Sequence, residues 1–173
     1  MLIYCAGPFF NELQLKTMED IEAVLESFDD VTLFKPRNGK ASAKKLNKEI
    51  GAGKDPSADT RRQVFEDNVD NIDEADLIVA CIDDRDVGTI FEIGYACKAH
   101  VPIITYTNKG FGMNLMLAES TLVHCKGTEQ LRSAISMFVN GSTNEDFEQL
   151  FKRANLSEGK EADKQMSLYV EGE

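Results

Sequence analysis

The stretch Ala75-Asp-Leu-Ile-Val-Ala-Cys-Ile82, followed closely by Asp86-Val-Gly-Thr-Ile-Phe-Glu-Ile-Gly-Tyr-Ala96, constrains this chain more than any other. The first part is a continuous apolar run of strand length, as expected for a strand covered on both faces. The second opens what reads as a helix, roughly Gly88 to Ala99. The strand then ends near Asp83, and a short acidic loop delivers Asp86 and Glu92 to the carboxyl edge of a sheet. In open α/β sheets that edge is where ligands bind. A carboxylate there is either a helix-start residue or a catalytic group.

The neighbouring segments fit the same architecture. Leu2-Ile-Tyr-Cys5 runs into the turn signal Ala6-Gly-Pro8. Asn11 can cap a helix whose apolar positions are Leu15, Met18, Ile21, Val24, Leu25 and Phe28. Asp29-Asp30 ends it, and Val31 to Phe34 reads as a second strand. Strand, helix, strand in this length predicts a right-handed parallel unit. Further on, Asp59 or Thr60 can start a helix to Asp73 with Val64, Phe65, Asn68, Val69 and Ile72 on one face. Asn68 is the polar exception there, and a buried amide needs a partner: a core bridge or a ligand contact. Val101 to Tyr106 and Leu122 to Cys125 predict two more strands. Lys109 to Gly112 reads as a flexible loop before a short helix at Met113 to Leu117. A helix from about Gln130, after Thr128, runs to Val139. A last one starts at Asn144 or Glu145 and runs to about Ala154. The expected fold is therefore a single flavodoxin-like, doubly wound α/β domain with a five-stranded parallel sheet in the order 2-1-3-4-5. It spans residues 1–155 and is followed by an acidic, extended tail over 156–173, whose Leu168-Tyr-Val170 could dock back on the protein or a neighbour.

Residues 35–62 stand apart. They hold nine of the 19 Lys and Arg residues of a chain whose formal charge is −11. Glycines 39, 51 and 53 and Pro56 surround a short helix expected near Ala41–Ile50. A solvated insertion is the first reading, and a basic flap over an acidic or phosphorylated ligand is the alternative. Gly51 to Ser57 superficially resembles a phosphate loop, but its spacing is wrong and no strand precedes it.

The acidic balance argues against general binding to nucleic-acid polymers or anionic membranes. No apolar run approaches a membrane span, and a cytoplasmic protein is expected. The four cysteines (Cys5, Cys81, Cys97, Cys125) lack paired spacing, and with only two histidines a metal site is not expected. Three cysteines fall in strands and Cys97 in a helix, so all read as buried thiols in a reducing compartment.

In the expected topology the carboxyl ends of strands 1, 3 and 4 gather residues 4–10, 83–92 and 106–116 around one crevice. Gly88 and Gly94 flank Glu92 and would let a ligand approach its carboxylate. Phe9 and Phe10 offer flat surfaces for a planar ring, and Asn114 offers a donor and an acceptor. Two carboxylates, aromatics and an amide suit glycosyl chemistry, in which a carboxylate attacks an anomeric carbon. On the residues alone, a capping Asp86 and an exposed helical Glu92 remain the favoured reading.

Tyr4-Cys-Ala-Gly-Pro-Phe-Phe10, Ala75 to Ala80, Asp86 to Ala96 and Asn114-Leu-Met116 together resemble the nucleoside 2-deoxyribosyltransferase family. The four pieces occur in consistent order from Met1 to Cys125. The resemblance implies a flavodoxin-like fold without metal or organic cofactor. It implies cleavage of the N-glycosidic bond of 2′-deoxynucleosides, with transfer of the deoxyribosyl group to another nucleobase. Related members hydrolyse nucleoside or deoxynucleoside 5′-monophosphates instead, and a catalytically idle nucleotide-binding module is a further alternative. By position, Glu92 would be the nucleophile, Asp86 would hold the sugar hydroxyl, and Tyr4 would orient Glu92. Gly7, Phe9, Phe10, Asn68, Gly88 and Thr89 would contact substrate. Asn114 and Met116 would enter a neighbouring subunit's pocket, which implies a homo-oligomer with shared sites. The family's base-protonating aspartate falls at Asn68, an amide that cannot donate a proton as a carboxylic acid does. That departure and the basic 35–62 segment both point towards nucleotide hydrolysis, because a 5′-phosphate would welcome Lys or Arg.

Overall fold

Five short apolar runs pair as parallel strands: β1 (Leu2–Ala6), β2 (Thr32–Phe34), β3 (Leu77–Cys81), β4 (Ile103–Thr107) and β5 (Val123–Lys126). They form one sheet in the order β2-β1-β3-β4-β5. The structure is a computed structural model that describes residues 1–39, 46, 48–110 and 112–147. Around the sheet lie α1 (Glu12–Leu25), α2 (Ala58–Asp73), α3 (Val87–Lys98), α4 (Leu115–Ser120), α5 (Gly127–Val139) and the short α6 (Asn144–Phe147). The sheet and its strand order are those expected from the sequence.

Alternation along the strands sorts the core into two layers. Ile3, Cys5, Val79, Cys81, Ile104, Tyr106 and Cys125 pack with Met18, Ile21 and Leu25 of α1 and Leu131 and Ile135 of α5. Tyr4, Ala6, Ile78, Ala80 and Ile103 face the other way, against Ile72 of α2 and Ile93 and Ala96 of α3. Each fully buried aliphatic side chain contributes about 1.5–3 kcal/mol relative to exposure. This sorting positions the chemistry: Tyr4 faces the α2–α3 layer, whereas the neighbouring Cys5 thiol faces α1. Burial pushes the Cys5 thiol well above the usual thiol range, which suits a packing residue rather than a nucleophile.

Local chemistry sets the helix starts. Asn11 caps α1 as expected, its side chain accepting from Gln14 N at 3.0 Å. Helix α2 begins earlier than Asp59, because Ser57 Oγ accepts from Thr60 N at 3.1 Å and makes Ser57 the cap. Asp86 caps α3, so that helix starts at Val87 and ends at Lys98. Asn114 caps α4, which moves the short helix two residues along to Leu115–Ser120. Helix α5 starts at Gly127, before the expected Gln130, whose side chain instead reaches back to Lys126 N at 2.8 Å.

Two expectations of burial fail, and one of close approach. Cys97 is exposed, because α3 turns that position away from the sheet. Phe65 is half exposed, and only Ile72 of the expected α2 stripe is fully buried. The Phe65 ring instead meets Phe91 of α3 across the outer surface, with centroids 5.8 Å apart. Gly94 is exposed and faces open space, so it gives no close approach to Glu92. Parts of the expected helix at 41–50, the end of the last helix and the whole 156–173 tail lie outside the described residues. No described helix is long and apolar enough to cross a membrane.

Candidate active site

Where β3 ends, the chain turns tightly through Asp83–Arg85 before entering α3. Asp84 and Arg85 have φ of 65° and 50°, the left-handed region that costs non-glycine residues on the order of 1 kcal/mol each. Side-chain bonds hold the turn. Buried Asp83 accepts from the Thr107 hydroxyl and from Asn108 N at 2.9 Å, which fastens the turn to the end of β4. Asp84 accepts from Gln14 Nε2 at 3.0 Å and pairs with Lys109. Gln14 Oε1 in turn accepts from Phe10 N at 2.8 Å. The loops after β1, β3 and β4 are thereby tied together at the carboxyl edge of the sheet.

Asp86 follows the turn. Its Oδ2 accepts from Thr89 N at 2.8 Å and from Thr89 Oγ1 at 2.9 Å. A Cβ at Gly88 would lie 3.1 Å from Asp86 Oδ2, so a side chain there would crowd the cap. Less than two helical turns on, Glu92 Oε1 accepts from Tyr4 Oη at 2.6 Å, across 88 residues of sequence. Tyr4 is fully buried, and its ring stacks on Phe34 with centroids 5.2 Å apart.

Burial is the main cause that raises the Glu92 carboxyl, to about 7; the Tyr4 hydrogen bond lowers it and the nearby Asp86 charge raises it. Tyr4 is pushed far above the usual phenol range by burial and by Glu92. Tyr4 therefore stays a donor, and Glu92 sits close to half ionised at neutral pH.

A cleft of about 260 Å³ opens over this pair, near the lower end of small-molecule sites. Gly7, Phe9 and Phe10 line it from the loop after β1, and Asp86, Gly88, Thr89 and Glu92 from α3 and its cap. Asn68 and Val64 come from α2; Pro36, Arg37, Leu46 and Ile50 come from the basic 35–62 segment. The structure thus brings together Tyr4, Gly7, Phe9, Phe10, Asn68, Asp86, Gly88, Thr89 and Glu92. Gly7 has a packing reason as well: a Cβ there would meet Met18 Sδ at 2.3 Å. Asn114 and Met116 are exposed and do not line the cleft of their own chain. Among the described residues, no three His, Cys, Asp or Glu side chains gather as a metal-binding group.

From sequence the 35–62 segment was only an alternative flap over the ligand, and Pro36, Arg37, Leu46 and Ile50 were not singled out as cleft residues. Arg37, the one cation among the described residues lining the cleft, is bound through two nitrogens to both oxygens of Glu22, which is buried. Lys35 Nζ lies 2.9 Å from the same carboxylate. Pro-Arg directly after a strand was the available signal, because it places a cation at the carboxyl edge of the sheet.

A parallel 2-1-3-4-5 sheet with a half-buried glutamate bonded to a buried tyrosine at its carboxyl edge defines a flavodoxin-like α/β enzyme. The chain belongs to the nucleoside 2-deoxyribosyltransferase family, whose model matches residues 3–152, and it is an enzyme of that kind. Among solved structures it is similar to the 2-deoxyribosyltransferase of the psychrotolerant bacterium Bacillus psychrosaccharolyticus. The two are 30% identical over 76% of this chain and 90% of that one, with a TM-score of 0.65. A Clostridium botulinum CMP N-glycosidase shares the fold at 15% identity, over 79% of this chain and 99% of that one, with a TM-score of 0.51. None of the curated proteins compared matches the sequence.

Proposed function

We propose that the chain cleaves the N-glycosidic bond of 2′-deoxynucleosides and passes the deoxyribosyl group to another nucleobase, by double displacement through Glu92. The observation that carries this reading is the hydrogen bond from buried Tyr4 to Glu92, a residue that lines the cleft. A carboxylate held at one oxygen has its other oxygen free to attack C1′ and form a sugar ester. The departing base leaves, a second base enters, and it attacks C1′ from the vacated side with Glu92 as leaving group.

The other residues take roles around that step. Asp86 spends Oδ2 on capping α3, and its second oxygen is suited to a sugar hydroxyl. Phe9 and Phe10 provide apolar faces for the base, and Asn68 provides an amide for its edge. Gly7, Gly88 and Thr89 let the sugar approach the helix start. Asn114 and Met116, outside their own cleft, would complete that of a neighbouring copy, so a homo-oligomer with shared sites belongs to the same reading.

Arg37 favours a second reading. It keeps N–H donors beyond the two bound to Glu22, and an anionic 5′ group beside it would be matched by charge-assisted hydrogen bonds. Hydrolysis of nucleoside 5′-monophosphates, with water replacing the acceptor base, is the corresponding reaction.

Incubation with a deoxynucleoside plus a second base, and separately with deoxynucleotides, separates the two. Base exchange without free sugar is expected for transfer, and free base from monophosphates alone for hydrolysis. Glu92→Gln should lower either activity by about a thousandfold or more. A variant that kept a tenth or more of the activity would sink the Glu92 mechanism.

A further inference from the structure

The cleft holds two acids among its described lining residues, and the proposed mechanism occupies both. Asp86 is bound to Thr89 as the cap of α3, and Glu92 is the nucleophile held by Tyr4. The wall from α2 supplies Asn68, a neutral amide. The acids beside it in sequence do not line the cleft: Asp70 is exposed, and Asp67 lies on another face of the helix. The remaining charged lining residue, Arg37, has its charge matched by the buried Glu22. The apolar part of the described lining is Phe9 and Phe10, with ring centroids 5.0 Å apart, together with Pro36, Leu46, Ile50 and Val64.

These groups limit which bases can leave. When the C1′–N bond of a neutral nucleoside breaks, its electron pair lands on the base, which departs as an anion unless an acid donates a proton. Such a general acid is worth about 10²–10⁴-fold in rate. Asn68 can hydrogen-bond to the base but cannot supply that proton.

We infer that the preferred donor is a nucleoside whose base is already cationic through N-alkylation, such as an N7-alkylated purine or an N-linked pyridinium. This rests on the reading of the cleft as an N-glycosidic site acting through Glu92. The step then balances without an acid. Glu92 attacks C1′, the C1′–N pair flows onto the base nitrogen and cancels its positive charge, and a neutral base leaves. Water or a neutral base next displaces the Glu92 carboxylate from C1′, and the proton lost by that acceptor passes to solvent. The surroundings suit such a cation: Asp86 and Glu92 offer opposite charge, and the Phe9 and Phe10 rings offer their negative faces. A bound cation also favours the ionised form of Glu92, the form that attacks.

The test uses the full chain with 7-methyl-2′-deoxyguanosine and 2′-deoxyguanosine. Base release is followed by chromatography, each rate is divided by its enzyme-free rate, and Glu92→Gln serves as the blank. The corrected kcat/KM should favour the methylated donor by about a hundredfold or more. Asn68→Asp, which restores a carboxyl at the α2 wall, should raise release from 2′-deoxyguanosine about tenfold or more at pH 6 and so narrow the ratio. The wild-type ratio is decisive without the variant, should the variant fail to fold. A ratio within about tenfold, or no gain in a folded Asn68→Asp protein, overturns the inference while leaving the N-glycosidic reading in place. With adenine present as acceptor, release from neither donor, whether as the nucleoside or as its 5′-monophosphate, overturns that reading, and the inference with it.

Discussion

A carboxylate taken out of water opposes folding, and Glu92 illustrates this at the scale of one residue. Its folded value of about 7 lies above the ordinary 4.5. Between those values the unfolded chain loses its proton first, so the native state becomes less stable as pH rises through that window. Glu92→Gln removes the penalty. At pH 8 it should stabilise the protein by on the order of 2–3 kcal/mol in urea denaturation, with a smaller gain at pH 5. In the proposed mechanism the same titration governs catalysis with the opposite sign. If the ionised form of Glu92 is the one that attacks, kcat/KM of the wild type should climb with pH to a plateau above about 7. Tyr4→Phe keeps the ring packed on Phe34 but removes the donor that favours the carboxylate. Its profile should move to higher pH, with activity lower by about 10–100-fold at pH 7. The strand-to-helix junction put Asp86 and Glu92 at the carboxyl edge of the sheet, but by themselves they read as a cap and an exposed helical residue; the family resemblance supplied the roles proposed for them. The raised Glu92 value could not be read from sequence, since it depends on how deeply Tyr4 and α3 bury the carboxylate.

At the scale of elements, three loops act as one frame. Gln14 stands in the middle, accepting from Phe10 N and donating to Asp84, which Lys109 also holds. Gln14→Leu cuts the frame without touching the Tyr4–Glu92 pair. Phe9 and Phe10 should then be less well placed, so KM should rise several-fold, on the order of 3–10, while kcat changes less than twofold. Steady-state kinetics checks this, and an equal fall in kcat would mean that the frame also sets the Glu92 geometry. The strands and most helices were legible in the sequence because each apolar run or capping residue is a local signal. The cleft wall formed by Pro36, Arg37, Leu46 and Ile50 was not. It has no periodic pattern, and its placement depends on the Arg37–Glu22 pair that joins the end of β2 to α1. Phe65 misled for a related reason: helical spacing shows which residues share a face, not whether that face meets the core.

For the whole molecule, the outer surface of α2, α3 and α4 carries Phe65, Val87, Phe91, Leu115 and Met116, all at least half exposed. A second copy covering this face is the expected partner in the shared-site reading. Phe91→Glu puts a charge in the middle of it. The wild type should sediment as an oligomer, and the variant should shift to a smaller species and lose most activity although Phe91 is outside the cleft. A monomeric wild type with full activity would exclude shared sites.

The strand order has a further consequence during synthesis. β1 is the second strand from the edge, and its inner neighbour β3 is made about 70 residues later, as the Cys5↔Val79 register shows. A nascent chain that has emerged only as far as α2 can pair β1 with β2 alone, through three register positions. The other edge of β1 and the apolar side of α1 then remain uncovered, a state prone to sticking to other chains. The Tyr4–Glu92 pair, joined across 88 residues, cannot form before α3 emerges. Translation pauses placed between α2 and α3 should therefore trap an adhesive, inactive chain, and pauses placed after β5 should not.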